Sequence, residues 1–351
     1  MSAPDVAVVI PTMRRLESLT RALRSVFAQQ GVAGRLREIV VVDNDPEASS
    51  RETVEALRSE APVPLIWTHA PRPGVATARN TGLAATSAPL IAFLDDDEAA
   101  SPAWLAALLR AQEASGADAV FGPIRGRVPE GTGWTTPYLE RFFGRQGPDR
   151  DGVLDHAHGC GNSLLVRATA LPGDQPFHVG SDQIGGEDDV LFAALEARGG
   201  RFGWAADAWV DEFAPPHRAT LRYALTRAFA YGQGPSQTAA EAKNWPGVAR
   251  WMAVGAAQAA VWGAATLAFA ILFGVSFLMG KFLAKSIGAR TRQSVLGPVD
   301  RVLGVGFGVL KGLILATLLF LVATLVLDTI NGGAARRPQW VKDSRSYALL
   351  N

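Results

Sequence analysis

Cysteine is almost missing from this chain: Cys160 is the single one in 351 residues. An intramolecular disulfide framework is therefore excluded, and a reducing compartment is the expected setting. Surplus charge is missing too. With 34 basic against 33 acidic residues the formal net charge is +1, without the basic excess of a nucleic-acid binder. The N-terminal MSAPDVAVVIPTMRR has no basic stretch followed by a long apolar core, so no secretory signal is expected. Glycine is absent from PTMRRLES, the turn after the first apolar run, which counts against the glycine-rich phosphate loop of a nucleotidyltransferase. No internal repeat is found. The length suits two units better than one. The hydrophobic fraction is 48% and the mean hydropathy +0.12, and most of that apolar excess lies beyond residue 250.

What is present up to about residue 215 is an alternation of strand and helix signals. VAVVIP (6–11) is a short β-branched run that reads as a buried strand. Leu16, Leu19, Leu23, Val26 and Phe27 then recur at helical spacing. Residues 38–45, 64–70, 90–94, 117–124 and 162–167 read as further strands. Residues 49–59 read as a helix with a serine N-cap, and Ser101-Pro102 as the N-cap and first position of another. Residues 74–86 have the small-residue content of a helix packed closely on a sheet. Residues 187–200 read as a helix closed by glycine. The Gly-, Pro- and Arg-rich stretch 125–158 reads as a long loop or lid. The pattern predicts an α/β fold, a mainly parallel sheet with helices on both faces.

Two acidic clusters stand out. FLDDDEAA (93–100) sets Asp95, Asp96, Asp97 and Glu98 side by side after an apolar strand. Ligands of open parallel sheets bind beyond the carboxyl ends of strands, and Asp43 ends another strand in the same way. The run is either a solvated loop placing charge near a helix N-terminus or a ligand set for a hard divalent cation. GGEDDVLF (185–192) places Glu187, Asp188 and Asp189 at a helix start. Acids favour that position anyway; alternatively one of them is a general base on a rigid element.

VAVVIPTMRR, EIVVVDND, RPGVATARNTGL, LIAFLDDDE, GCGNSLLVR and GGEDDVLF, in this order, resemble glycosyltransferase family 2, with the GT-A fold, over about residues 5 to 235. GADAVFGPIRG and HRATLRYALTRAFAYGQG are similar to the glucosyltransferases of succinoglycan-type exopolysaccharide assembly. The resemblance implies that Pro11 and Thr12 border the nucleotide and that Asp43 recognises the base. It implies that Arg79 lies near the nucleotide or its phosphates. Asp95 and Asp97 match the family's D-x-D element, which contacts the ribose and holds Mg²⁺ or Mn²⁺ on the diphosphate; Asp96 is a near-equal alternative for either contact. Asp188 matches the catalytic base, with Glu187 beside it. The chemistry is consistent with these residue types. A leaving diphosphate needs a cation to offset its charge, and an attacking hydroxyl needs a carboxylate to take its proton. In-line attack implies inversion without a covalent intermediate. The donor would be a UDP-linked hexose, with glucose suggested by the closer resemblance.

Other residues keep two readings. Cys160 either lines an acceptor pocket or is a buried inert thiol, the preferred reading. His156 and His158 are metal ligands or, preferably, polar loop residues. His217 either reaches the metal or diphosphate or is an ordinary loop residue. Trp134, Tyr138, Phe142 and Phe143 form either a sugar-stacking lid or the satellite core of a long loop.

The C-terminal third, 236–351, reads as membrane-associated. Val254 to Gly280 carries no charge, and Val302 to Leu327 is interrupted only by Lys311. Both segments are long enough to span a bilayer, and a polar tail follows. Between them Lys281, Lys285, Arg290, Arg292 and Arg301 face one acid, Asp300. The positive-inside rule puts that linker in the cytoplasm, where nucleotide sugars also are. A simple span between catalytic domain and linker cannot satisfy both. Either Val254–Gly280 is interfacial or re-entrant, or the linker lies along the far surface. Residues from about 273 to 347 also resemble the C-terminal half of the colicin-V-production-protein family of small inner-membrane proteins. The expected organisation is a catalytic domain over 1–235, cytoplasmic at a bacterial inner membrane, followed by transmembrane helices. Its partners would be a nucleotide-sugar donor, a lipid-linked saccharide acceptor and the membrane, with no nucleic acid. The competing reading is a non-catalytic membrane assembly or secretion protein with a nucleotide-sugar-binding domain.

Overall fold

The structure is a computed structural model that describes residues 5–183, 185–232 and 243–291. Residues up to Ala224 form one compact unit, and those from Leu225 onward belong to a second.

The first unit is built on an eight-stranded sheet. Its strands are β1 (Val6–Thr12), β2 (Leu36–Asp43), β3 (Leu65–His69), β4 (Leu90–Phe93), β6 (Ala119–Phe121), β8 (Gly152–Leu154), β9 (Ser163–Val166) and β10 (Phe202–Trp204), in the order β3-β2-β1-β4-β9-β6-β10-β8. In β1 the alternate residues Val6, Val8 and Ile10 join one hydrophobic core, while Ala7 and Val9 join a second on the opposite face. A strand buried on both faces needs apolar residues at every position, which is why these strands read as continuous runs. Helix α1 (Leu16–Phe27) buries Leu19, Ala22, Leu23 and Val26 against the first face, with Trp104, Leu105 and Leu108 of α4 (Trp104–Ser115). Helices α3 (Val75–Ala84) and α7 (Glu187–Ala197) cover the second. The short α2 (Arg51–Leu57) lies beside α1 and β3. Gly82 explains the small residues of α3: a Cβ there would stand 2.5 Å from Val9 Cγ1 and 2.9 Å from Val42 Cγ2.

The sheet is mixed rather than mainly parallel. β3, β2, β1 and β4 are parallel neighbours, but β9 runs antiparallel to both β4 and β6. β6 also pairs with β10 in parallel, and β8 closes the edge antiparallel. A helical crossover returns the chain in the same direction. β9 is instead reached from β6 by an excursion that ends where β6 ended, so it comes back reversed. That excursion, expected as a loop, contains β7 (Ile124–Arg127), a 3₁₀ turn at Gly133–Thr135, α5 (Thr136–Phe143) and β8. β5 (Glu98–Ala100), β11 (Val210–Phe213) and β7 form a second sheet in the order β5-β11-β7. The acidic run therefore leads from one sheet into another.

Ser50 stands at the N-cap of α2 as expected, but its hydroxyl donates to Asp43 at 2.7 Å and makes no cap bond to the helix. The second expected cap is displaced. α4 starts at Trp104 with Ala103 at the N-cap, and Ser101 contributes only its carbonyl to the Trp104 N–H at 3.0 Å. The short α6 (Arg167–Ala170) and α8 (Leu221–Gly232) complete the helices of this region. In the second unit α9 (Trp245–Thr291) is a 47-residue helix. It leaves Ile271, Leu272, Phe273, Phe277 and Leu278 exposed, and the rings of Phe269, Phe273 and Phe277 stack at 6.4 Å. Among the described residues no helix is long and apolar enough to cross a membrane. The segment 302–327, Arg292 and Arg301 of the linker, and the polar tail lie outside the described residues.

Asn162 ties these parts together. It is fully buried with φ at 52°. Its Oδ1 accepts from the Trp104 indole N–H at 2.7 Å, and its Nδ2 donates to the carbonyls of Pro123 and Ala208 at 2.8 and 2.9 Å. Asn162→Ala leaves the Trp104 indole N–H and the Ala208 carbonyl without that partner in the core, while the Pro123 carbonyl keeps the Val210 N–H at 3.2 Å. The expected loss is about 3 kcal/mol or more, read as a lower unfolding transition by calorimetry of the full chain. An unchanged transition would remove Asn162 from this role.

Candidate active site

The site is assembled where β1 and β4 end. Thr12, the last residue of β1, pairs in register with Asp43 of β2. Its hydroxyl donates to Asp96 Oδ2 at 2.8 Å. Arg15, just before α1, donates through one nitrogen to Asp96 Oδ1 at 2.9 Å and Asp97 Oδ2 at 2.6 Å. Burial pushes the Asp96 carboxyl up to about 6, with Arg15 opposing. Asp95 takes a different direction. Its side chain is 41% exposed, and its Oδ1 lies 3.7 Å from the Arg79 guanidinium. Its backbone N–H donates to Glu98 Oε2 at 3.0 Å.

The second acidic cluster meets the first across Arg79. Gly186 has φ at 80°, and the first turn of α7 follows it. Glu187 is 6% exposed and accepts from Arg79, while burial pushes its carboxyl up against the pull of Arg79. Asp188 turns the other way: its Oδ2 accepts the Cys160 N–H at 3.0 Å, and its Oδ1 accepts the Asp189 N–H at 3.0 Å. The loop carrying Cys160 is pinned by Arg145, which donates to the carbonyls of Gly122, Gly159, Gly161 and Asn162 at 2.6 to 2.9 Å.

Thr12, Asp96 and Asp97 are thus linked through Arg15, and Asp95 and Glu187 meet at Arg79, with Asp188 next to Glu187 and Pro11 half-buried in β1. Asp43 sits at the expected strand end with another task. It is fully buried, and its oxygens accept from the Asp45 N–H at 3.0 Å and from the Ser50 N–H and hydroxyl, each at 2.7 Å. It holds the β2–α2 loop instead of presenting a free carboxylate to a base. The carboxylate oxygen left without a partner at this strand end is Asp45 Oδ2. Arg14, 3.0 Å from the other oxygen, holds Asp45 down at about 2. Arg79 is likewise buried, at 4% exposure, and paired with carboxylates.

Arg15, Arg145, Glu98 and Glu212 are functional-site neighbours that sequence reasoning did not assign. Glu98 and Glu212 face each other in register on β5 and β11. Burial, with the charges of Asp97 and Asp95, pushes Glu212 up to about 8, and burial with Asp95 and Glu212 pushes Glu98 well above the usual carboxylate range. A signal for Glu212 was the acid inside the short apolar run WVDEF.

The remaining candidates resolve. Burial pushes the Cys160 thiol up to about 12, so it is inert at neutral pH. His158 packs edge-on against Phe121 at 5.8 Å, and burial pushes it down to about 4. His156 is exposed beside Glu196 at 3.4 Å, and His217 is exposed. Phe143 packs edge-on against Phe142 at 5.2 Å and stacks on Tyr223 at 6.2 Å, which is the satellite-core reading; Tyr138 is 38% exposed and Trp134 86%.

Among the described residues no group of three His, Cys, Asp or Glu side chains is arranged to hold a metal ion. The donor set after β4 is nevertheless all oxygen, the chemistry a hard divalent cation requires. Asp95 is open, and Arg15 already places a cation on Asp97. These residues fit such an ion with a bound diphosphate supplying further oxygens.

The glycosyl transferase family 2 profile matches residues 7–170, and the colicin V production protein profile matches residues 242–351. The succinoglycan biosynthesis protein ExoM of Rhizobium meliloti (strain 1021) is 34% identical over 239 residues, 67% of this chain and 75% of that protein. The pre-mycofactocin glycosyltransferase of Mycobacterium tuberculosis is 28% identical over 236 residues, 65% of this chain and 46% of that protein. Among solved structures, Staphylococcus aureus TarS 1–349 in complex with UDP is similar with a TM-score of 0.47 at 15% identity, covering 71% of this chain and 70% of that one.

The acid crowding has a pH signature. Asp96 binds its proton more tightly in the folded chain than in the unfolded one, because its value is raised from 3.8 to about 6. Stability is therefore highest below the ordinary value and falls as pH rises between about 4 and 6, by up to about 3 kcal/mol. Glu212, raised to about 8, extends the decline. Asp96→Asn is expected to flatten the lower part of that curve in metal- and nucleotide-free denaturation. A variant curve parallel to wild type between pH 4 and 6 would contradict the assignment.

Proposed function

The chain belongs to glycosyltransferase family 2, and on that footing we propose an inverting transfer of a hexose from a UDP-linked donor to a lipid-linked saccharide. The work would be done at the cytoplasmic face of a bacterial inner membrane. The observation that carries this reading is the meeting of two carboxylate groups at Arg79, Asp95 of the 95–97 run on one side and Glu187, next to Asp188, on the other. ExoM, named for succinoglycan biosynthesis, supports a polysaccharide product. The uncharged stretch Val254–Gly280 and the exposed apolar side chains of α9 support a membrane-held enzyme near a lipid-linked acceptor.

In this mechanism Pro11 and Thr12 border the nucleotide, and Asp96, fixed by Thr12 and Arg15, faces the ribose. Asp97 and Asp95 would hold a divalent cation, Mg²⁺ or Mn²⁺, which when bound supplies Lewis-acid neutralisation of the diphosphate charge. The acceptor oxygen bonds to the anomeric carbon while the bond from that carbon to the diphosphate oxygen breaks. The diphosphate leaves with the bonding electrons, and the hydroxyl proton goes to Asp188. Two backbone N–H groups fix the Asp188 carboxylate, and each of its oxygens keeps a lone pair for that proton. Glu187 is paired with Arg79 and so is not a free nucleophile, consistent with inversion. A second reading, a membrane assembly protein whose N-terminal unit binds nucleotide sugars without turnover, is favoured by the colicin V production protein match over residues 242–351.

Calorimetric titration of UDP, GDP and dTDP into detergent-solubilised chain, with and without Mn²⁺, separates these. UDP is expected to bind best and to need the metal. Asp97→Ala is expected to weaken metal-dependent binding about 10–100-fold. Asp188→Asn should keep that affinity and lower kcat by about 10³-fold. Transfer retained by Asp188→Asn excludes it as the base. Nucleotide binding without turnover in the wild type supports the assembly reading, and no binding by folded protein overturns both.

A further inference from the structure

Among the described residues Arg79 is the side chain paired with both acidic clusters, and its surroundings are those of a strut, not a ligand-binding arm. It is 4% exposed, with its guanidinium carbon 5.8 Å from the Phe93 ring centroid and 5.5 Å from that of Phe177. One terminal nitrogen donates to Glu187, and the other lies 3.7 Å from Asp95 Oδ1. Its Nε is buried without a partner.

The neighbours of Arg79 on α3 hold the same segment. Asn80 donates to the Phe177 carbonyl at 2.7 Å and accepts the Phe177 N–H at 3.1 Å. Thr77 donates its N–H and hydroxyl to Asp182 at 3.1 and 2.5 Å. Asp182 reaches that helix start because Gly74 has no side chain: a Cβ there would stand 2.0 Å from Asp182 Cγ. Thr77, Arg79 and Asn80 of α3 therefore hold Asp182, Glu187 and Phe177 respectively, and the residue after Glu187 is Asp188.

We propose that Arg79 is a positioning residue: it joins donor-side Asp95 to Glu187 and thereby sets where Asp188 stands relative to the donor, without touching the nucleotide. The inference rests on the reading of Asp188 as the base and of Asp95 as donor-side. A guanidinium between two carboxylate groups keeps its charge at any working pH and offers a planar, rigid set of donors. The Phe93 and Phe177 rings, packed edge-to-face on each other at 5.7 Å, wall it on one side. Misplacing a proton acceptor by about 1 Å costs on the order of 10²-fold in rate, so a strut of this kind acts on kcat.

The test uses the full chain as wild type, Arg79→Gln, Arg79→Lys, Glu187→Gln and the Arg79→Gln/Glu187→Gln double variant. UDP with Mn²⁺ is the calorimetric probe, and kcat and donor KM are measured beside a melting curve. Arg79→Gln is expected to keep UDP affinity within about threefold and to lower kcat about 10²-fold. Arg79→Lys should recover about tenfold of that loss. The double variant should be no slower than the slower single variant, because both substitutions break one link. UDP affinity that falls in step with kcat makes Arg79 a donor ligand and overturns the proposal. Additive losses in the double variant overturn it as well. Where Arg79→Gln does not fold, Arg79→Lys must by itself spare UDP affinity while lowering kcat, and any other result counts against the strut. Failure of the underlying reading looks different: folded wild type that does not bind UDP, or Asp188→Asn that still transfers.

Discussion

Concentrating carboxylates in a partly buried cleft is the constraint to which the rest of this architecture answers. Asp95, Asp96, Asp97, Glu98, Glu187, Asp188 and Glu212 converge from three elements and the turns between them. Their mutual repulsion and desolvation appear as the upward shifts of Asp96, Glu98, Glu187 and Glu212. Breaking a buried ion pair by removing one partner is costly because the other charge is left uncompensated. The fold meets this with three arginines from well-separated parts of the chain. Arg15 approaches from the turn before α1, Arg79 from α3, and Arg145 from the segment after α5.

These three cations are held differently, and the difference decides what each contributes. Arg145 is bonded to four backbone carbonyls, so its position is fixed by the loop it pins. That loop supplies the Cys160 N–H to Asp188, which makes Arg145 part of how the second acidic cluster is placed. Arg79 is buried beside two aromatic rings and paired with carboxylates. Arg15 is 34% exposed in its side chain and makes its contacts with Asp96 and Asp97 through one nitrogen. It is the least constrained of the three, and it sits on the carboxylate that matches the metal-holding position.

The parts of this arrangement legible in the sequence are those set by local pattern. β1, β2 and β4 were readable because burial on both faces demands unbroken apolar runs, and the acids stood out because the β2 and β4 runs lead into them. β5, β8, β10 and β11 are three or four residues long and exist only through pairing with distant partners, so no local period announces them. The same limit hid the mixed character of the sheet, since the direction of β9 depends on where the excursion before it ends. Asp43 looked like a ligand because it ends a strand. Its true partners, Asp45 and Ser50, were near in sequence, but an acid followed by a serine seven positions later is not a distinctive signal. Arg15 and Arg145 were invisible for a simpler reason: an arginine's role is set by what it reaches in space.

Glu187 and Asp188 show how far adjacency in sequence can mislead about function. Successive residues of a helix point about 100° apart, so neighbours at the first turn of α7 cannot share a task. Glu187 turns inward to Arg79 and is nearly closed to solvent, while Asp188 turns toward the Cys160 N–H at the cleft. The acid pair is therefore one inner anchor and one outer carboxylate, and the outer one is placed by the inner one together with the loop pinned by Arg145. On that geometry a substitution at Glu187 is expected to act on Asp188 through the helix start, even though Glu187 itself is nearly closed to solvent and paired with Arg79.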